Sequence, residues 1–186
     1  YVTNSAVHIF YPGSYRLTLP HFFVLERGYL KYGAEYENGG VSDYDFGSIV
    51  GGKVEMNIKA DIFQNTCALR VCHALNSVPF HPPFVSHKIP KTIGKTSSGG
   101  NGNWYFFTVA NLQEYMNNTY GPPTISSSNP SDFVGRKGII MYDMRGTWSD
   151  ATGHFTLWDG KKRLGGNRSH VWYLEYGVRA HLWEAK

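Results

Sequence analysis

The chain has 186 residues, room for one domain with little left for a second. Charged residues are only 17% while aromatics reach 16%, with 21 glycines and 9 prolines, which excludes a coiled coil, a long-helix protein and an acidic disordered chain. The net charge of +4 is scattered, its densest group being Lys161-Lys162-Arg163, so nucleic acid is not expected, and with no run of 18 apolar residues neither is a membrane span.

In chain order, residues 1–46 hold 11 aromatics and carry 3 basic against 5 acidic residues. Val7-His8-Ile9-Phe10-Tyr11 and Phe22-Phe23-Val24-Leu25 read as short strands. They would add edge strands to a main sheet or form an arm that pairs with another copy. The start at Tyr1 rather than Met fits a removed leader or a partial sequence. Gly47 to Gly52 reads as a turn. Leu69, Cys72 and Leu75 then recur at helical spacing, with Asn65 or Thr66 able to cap the start and Asn76 able to end it. Cys67 therefore falls in the first turn of a helix. Residues 77–103 read as a long loop, Tyr105 to Val109 as a short strand and Ala110 to Tyr120 as a second helix. Lys137 to Asp143, Gly153 to Trp158, His170 to Leu174 and Val178 to Trp183 read as strands, with an Asp159-Gly160 turn after the second. A helix followed by antiparallel strands is an α+β domain.

A thiol in a first helical turn sits near unpaired N–H groups and the positive end of the helix dipole. Both favour the thiolate, the form that attacks carbonyls, and the backbone N–H of Cys67 can help hold an oxyanion. The thiol needs a base, and His154, after Gly153 at a strand start, is the candidate. A third polar group must orient the imidazole. A loop of about seven residues after Trp158 would bring His170 opposite His154, and a shorter offset would bring Asn167. Cys72, on the Leu69/Leu75 face, reads as core. Cys67 and Cys72 would point differently from one helix, so no disulfide is expected between them. No zinc spacing is present, and no metal or cofactor is expected.

At these residues the sequence resembles the fourth amidase-effector family of type VI secretion systems. The stretches that carry the resemblance are Gly47 to Gly52, Phe63-Gln64-Asn65-Thr66-Cys67-Ala68-Leu69-Arg70, Ser131 to Ile140, and Trp148 to Gly160 including Gly153-His154-Phe155. It runs from residue 44 to about 160 with a looser tail to 186, and leaves residues 1–43 as an N-terminal extension. It implies a papain-like, NlpC-type fold, with the cysteine helix packed on an antiparallel sheet. It also implies a cysteine amidase that cuts peptidoglycan stem peptides between D-glutamate and meso-diaminopimelate. The family's nucleophile falls on Cys67 and its base on His154. Its aspartate across the hairpin has no counterpart here. Related NlpC-type enzymes use a histidine at that position, which makes His170 the first expectation and Asn167 the second. The implied partners are a peptidoglycan stem peptide and an immunity protein, and the implied location is outside the producing cell or in a target periplasm. A rival expectation keeps the fold for assembly, with residues 1–43 self-associating by strand exchange.

Overall fold

The computed structural model describes residues 16–80, 82–83 and 85–186. The strand expected at Val7–Tyr11 lies outside them. The second expected strand is instead helix α1 (Phe22–Gly28), which buries Phe22 and Leu25 and leaves Phe23 60% exposed. Four apolar residues in a row fit either period, and here the core takes positions 22, 25 and 29. Phe22 N–H donates to the Lys186 carbonyl at 2.7 Å, so this segment also ties down the chain's end. Its apolar face is spent in the core, which leaves residues 22–25 no free strand to exchange.

The turn expected at 47–52 is the junction of two helices, α2 (Asp43–Val50) and α3 (Gly52–Lys59). Ser42 caps α2 by accepting from Asp45 N–H at 3.1 Å. Gly51 ends α2 at φ +72°, which glycine adopts without strain. Gly47 stays helical, with the Ile58 side chain packed against its Cα.

Helix α4 (Cys67–Asn76) forms as expected and is the central element, with all its residues but His73 buried. Its last residue does more than end it. The Asn76 amide donates to the Trp104 carbonyl and accepts from Ile89 N–H, each at 2.8 Å, pinning the middle of the long loop and the residue that follows it. That loop holds β1 (Thr96–Ser98), which pairs antiparallel with β2 (Trp104–Phe106) in a small sheet. Helix α5 (Val109–Tyr120) follows, capped by Thr108 and burying Leu112 and Met116.

The main sheet comprises β3 (Ile125–Ser127), β4 (Gly138–Asp143), β5 (Gly153–Trp158) and β6 (Arg179–Glu184), in the order β3-β6-β4-β5 and antiparallel throughout. Every residue of β4 and β5 is buried. Ile139, Met141, Phe155 and Leu157 pack with α1, α4 and α5, whereas Ile140, Tyr142 and Trp158 pack with Phe133 and helix α6 (His170–Tyr176). Helix α6 replaces the strand expected at 170–174. Ser169 caps it by accepting from Trp172 N–H at 3.1 Å, and this local cap outweighs the strand preference of Val171, Trp172 and Tyr173.

Candidate active site

Cys67 is the first residue of α4, and its N–H donates to the Asn65 side-chain oxygen at 3.0 Å. Thr66 at the N-cap is occupied elsewhere: its hydroxyl donates to Asp43 at 2.6 Å and accepts from Arg70 Nε at 2.8 Å. Arg70 is wholly buried, and its guanidinium also reaches the carbonyls of Leu30 (2.9 Å) and Val41 (2.7 Å) and the Asp43 carboxylate (3.0 Å). It therefore fixes the Cys67 helix to residues 30–43.

The thiol is 1% exposed, and burial pushes it up to about 11, although backbone hydrogen bonds from Phe155 and Ala68 pull the other way. The dipole argument favoured thiolate, but a helix terminus contributes about 0.3–1 kcal/mol. Two pH units of desolvation amount to about 3 kcal/mol, so burial wins and the resting group is a thiol.

Phe155, which meets the sulfur, is the residue after His154 on the edge strand β5. His154 is 3% exposed and stacks on Tyr173 of α6, with ring centroids 4.9 Å apart and planes 10° apart. Its Nε2 lies 2.8 Å from the Gly165 carbonyl oxygen. A carbonyl only accepts, so Nε2 carries the proton and Nδ1 is the basic nitrogen. Burial lowers this imidazole to about 4, the Gly165 bond opposing and the Arg163 charge adding to the effect. The pair rests as neutral thiol and neutral imidazole.

His170 is not opposite His154. It opens α6, with Nδ1 2.7 Å from the Tyr142 hydroxyl and Nε2 3.1 Å from the Pro130 carbonyl, and its ring stacks on Trp158 at 4.1 Å. Both nitrogens are engaged in packing α6 against the sheet. The hairpin after β5 turns tightly, with Asp159 accepting from Lys161 and Lys162 N–H, so Arg163 already bridges Trp158. At that register Asn167 would come to lie opposite His154. The chain instead leaves the strand edge after Leu164, whose N–H donates to the Leu157 carbonyl, and Gly166 N–H turns to the Tyr32 carbonyl. Asn167 ends exposed, with its backbone against the Tyr173 hydroxyl. The acceptor on His154 is thus a main-chain oxygen, which no side-chain pattern could reveal.

Two cavities meet here. One, of about 510 Å³, reaches Cys67 between Phe107–Ala110 and the 145–152 loop. The other, of about 410 Å³, reaches His154 and is lined by Asp43, Arg168, Trp172 and Tyr173. Asn65, Trp148 and Asp150 line both. The two cysteines are free and buried, and Cys72 meets the Phe106 carbonyl at 3.9 Å within the core, as expected of it. Among the described residues no helix is long and apolar enough to cross a membrane.

A cysteine at the start of a buried helix, a histidine on the adjoining edge strand and a cleft between them define a papain-like cysteine hydrolase. Residues 63–183 match the model of the type VI secretion system amidase effector protein 4, and the chain belongs to that family of peptidoglycan amidase effectors. Three solved structures are similar over 100% of their own chains. The Tae4–Tai4 effector–immunity complex from Salmonella Typhimurium is 30% identical over 91% of this chain, with a TM-score of 0.73. The corresponding complex from Enterobacter cloacae is 28% identical over 91%, at 0.71. Tae4 alone from Enterobacter cloacae is 28% identical over 92%, at 0.72. A comparison with curated proteins gives no match.

Proposed function

We propose that Cys67 and His154 cleave the bond between D-glutamate and meso-diaminopimelate in peptidoglycan stem peptides. The observation that carries this reading is the junction of the two cavities. A peptide lying across it runs where the wall that Cys67 lines joins the wall that His154 lines, with Asn65, Trp148 and Asp150 belonging to both. The second cavity offers both signs of charge, Arg168 against Asp43 and Asp150, which suits a substrate bearing carboxylates and an amine.

The thiol proton passes to His154 Nδ1 as sulfur forms a bond to the amide carbon. The developing oxyanion takes the place of the Asn65 oxygen on Cys67 N–H, where the helix terminus favours negative charge. The C–N bond then breaks, and the leaving amine takes the proton from Nδ1. Water attacks the thioester, His154 accepts its proton and returns it to sulfur, and the acid leaves. Throughout, Nε2–H stays on the Gly165 carbonyl.

The natural setting is the periplasm of a target bacterium, and the natural antagonist is an immunity protein, as in the complexes that the Salmonella and Enterobacter relatives form. The test is release of muropeptides from purified sacculi by wild type and by Cys67→Ala, with the products identified by mass. New amino termini on diaminopimelate from wild type alone support the proposal. Equal release by both proteins removes Cys67 from the chemistry, and sacculi that bind the protein without losing peptides make it a wall-binding module.

A further inference from the structure

The segment from Tyr29 to Val41 lies outside the matched residues 63–183, yet it grips the loop that carries the acceptor for His154. Tyr32 forms a parallel bridge with Gly165: its N–H donates to the Leu164 carbonyl and its carbonyl accepts from Gly166 N–H, each at 3.2 Å. In a parallel bridge one residue bonds to the two neighbours of the residue opposite. The Gly165 carbonyl is therefore left out of the bridge, and it is turned to His154.

The packing admits only glycine at both positions of this loop. A Cβ on Gly165 would strike the Tyr29 hydroxyl and come 2.5 Å from the Tyr32 ring. One on Gly166, at φ +129°, would come 2.7 Å from His154 Nε2 and 2.8 Å from the Tyr173 hydroxyl. The segment is fastened again at Glu35, which accepts from Arg163 Nη1 at 2.6 Å, and at Leu30 and Val41, whose carbonyls are held by Arg70. One path of contacts thus joins the Cys67 helix, through Arg70, the 30–41 strap and the Gly165 carbonyl, to His154.

We infer that the 29–41 strap is a positioning element for catalysis, fixing the His154 tautomer by pressing the Gly165 carbonyl onto Nε2 in place of a side-chain third member. This rests on the proposed Cys67–His154 chemistry. Tyr32, Glu35 and Gly165 are its positioning residues. A main-chain oxygen can only accept, so it enforces the Nε2–H form that leaves Nδ1 basic. A histidine or an asparagine in its place could present a donor instead.

Two readouts test it on the full chain. Long-range proton–nitrogen NMR at pH 7, with His154 assigned through His154→Gln, is expected to show a neutral ring protonated at Nε2. An Nδ1–H tautomer or a charged ring would overturn the inference. Glu35→Ala, on the protein's surface, loosens the strap without touching the site. Its kcat is expected to fall about tenfold with KM unchanged, because small misplacements of a catalytic group lower the chemical step. The His154 signal is expected to move towards a mixture of tautomers while the melting temperature stays within a few degrees. Unchanged kcat together with an unchanged His154 signal would remove the strap's role. If wild type releases no peptide, the proposed function fails. The tautomer in Glu35→Ala then decides the strap alone, a mixture supporting it and a pure Nε2–H form overturning it.

Discussion

Helix α4 packs on β5 and the return segment 159–170 supplies the acceptor for His154, and the two are held in different ways. The start of α4 is capped by a near neighbour, Asn65 on Cys67 N–H, and its Thr66 and Arg70 reach back to residues 30–43. The return segment is set by distant ones, Tyr32 on Leu164 and Gly166, and Glu35 on Arg163. Cys67 therefore sits on an element specified by its own periodicity. The acceptor behind His154 depends on a partner more than 100 residues away in sequence. The two cysteines of α4 repeat the contrast at closer range. Both are buried, but Cys67 opens onto a cavity, whereas Cys72 faces the core and burial pushes it up to about 12.

The largest expected effect separates those cysteines. Cys67→Ala should lower kcat/KM at least about 1,000-fold. Cys72→Ala should keep it within about twofold and lose about 1–2 kcal/mol of stability in urea unfolding. Comparable activity losses in the two variants would dissolve the distinction.

Next comes the tie between the two regions. Arg70→Met deletes a wholly buried guanidinium and strands the Leu30 and Val41 carbonyls. At about 1–3 kcal/mol for each lost partner, the cost should be about 3–5 kcal/mol. A loss under about 1 kcal/mol would mean that the strap is held without it.

The third prediction is a pH dependence. The His154 imidazole titrates near 6.5 when unfolded and near 4 when folded. Between those values the unfolded chain binds the proton and the folded chain does not. Stability is thus full above about pH 6.5 and falls as the pH drops towards 4, by up to about 3 kcal/mol from this residue. His87, His170 and His181, which burial also lowers, act in the same direction, so the part due to His154 is the difference from His154→Gln. The same neutral pair predicts kcat/KM flat across neutral pH, with an acid limb near 4. An acid limb near 6.5 would point to an imidazole exposed to water.

The smallest effect is at the start of α6. Ser169→Ala removes a cap and should cost about 1 kcal/mol with little change in kcat, read by thermal unfolding. A collapse of activity would make α6, through Tyr173 on the His154 ring, a larger part of the site.

What the sequence disclosed follows the same division. The α4 helix with Cys67 in its first turn, the buried strand β4 and the strand start that carries His154 were legible because apolar spacing and turn residues act over short range. The short helices α1 and α6 were misread as strands: each has only seven residues, and Phe, Val and Trp prefer extended backbone when no core is in view. The junction of α2 and α3 was read as a turn because three glycines crowd it, although Gly47 is helical and pressed on Ile58. His170 looked like the third member because a seven-residue loop was assumed where the chain turns within Asp159–Lys162. The actual acceptor is a backbone atom of a glycine, and residue type carries no record of where a carbonyl points.

The buried, protonated state of Cys67 also bears on oxidation. Peroxides attack the thiolate, and susceptibility follows thiolate character and exposure. A thiol pushed up to about 11 and 1% exposed offers little of either. Its conversion to sulfenic acid, and its capture by small disulfides, should both be slow at neutral pH. The same burial that holds the sulfur as a thiol thus shields it from oxidants.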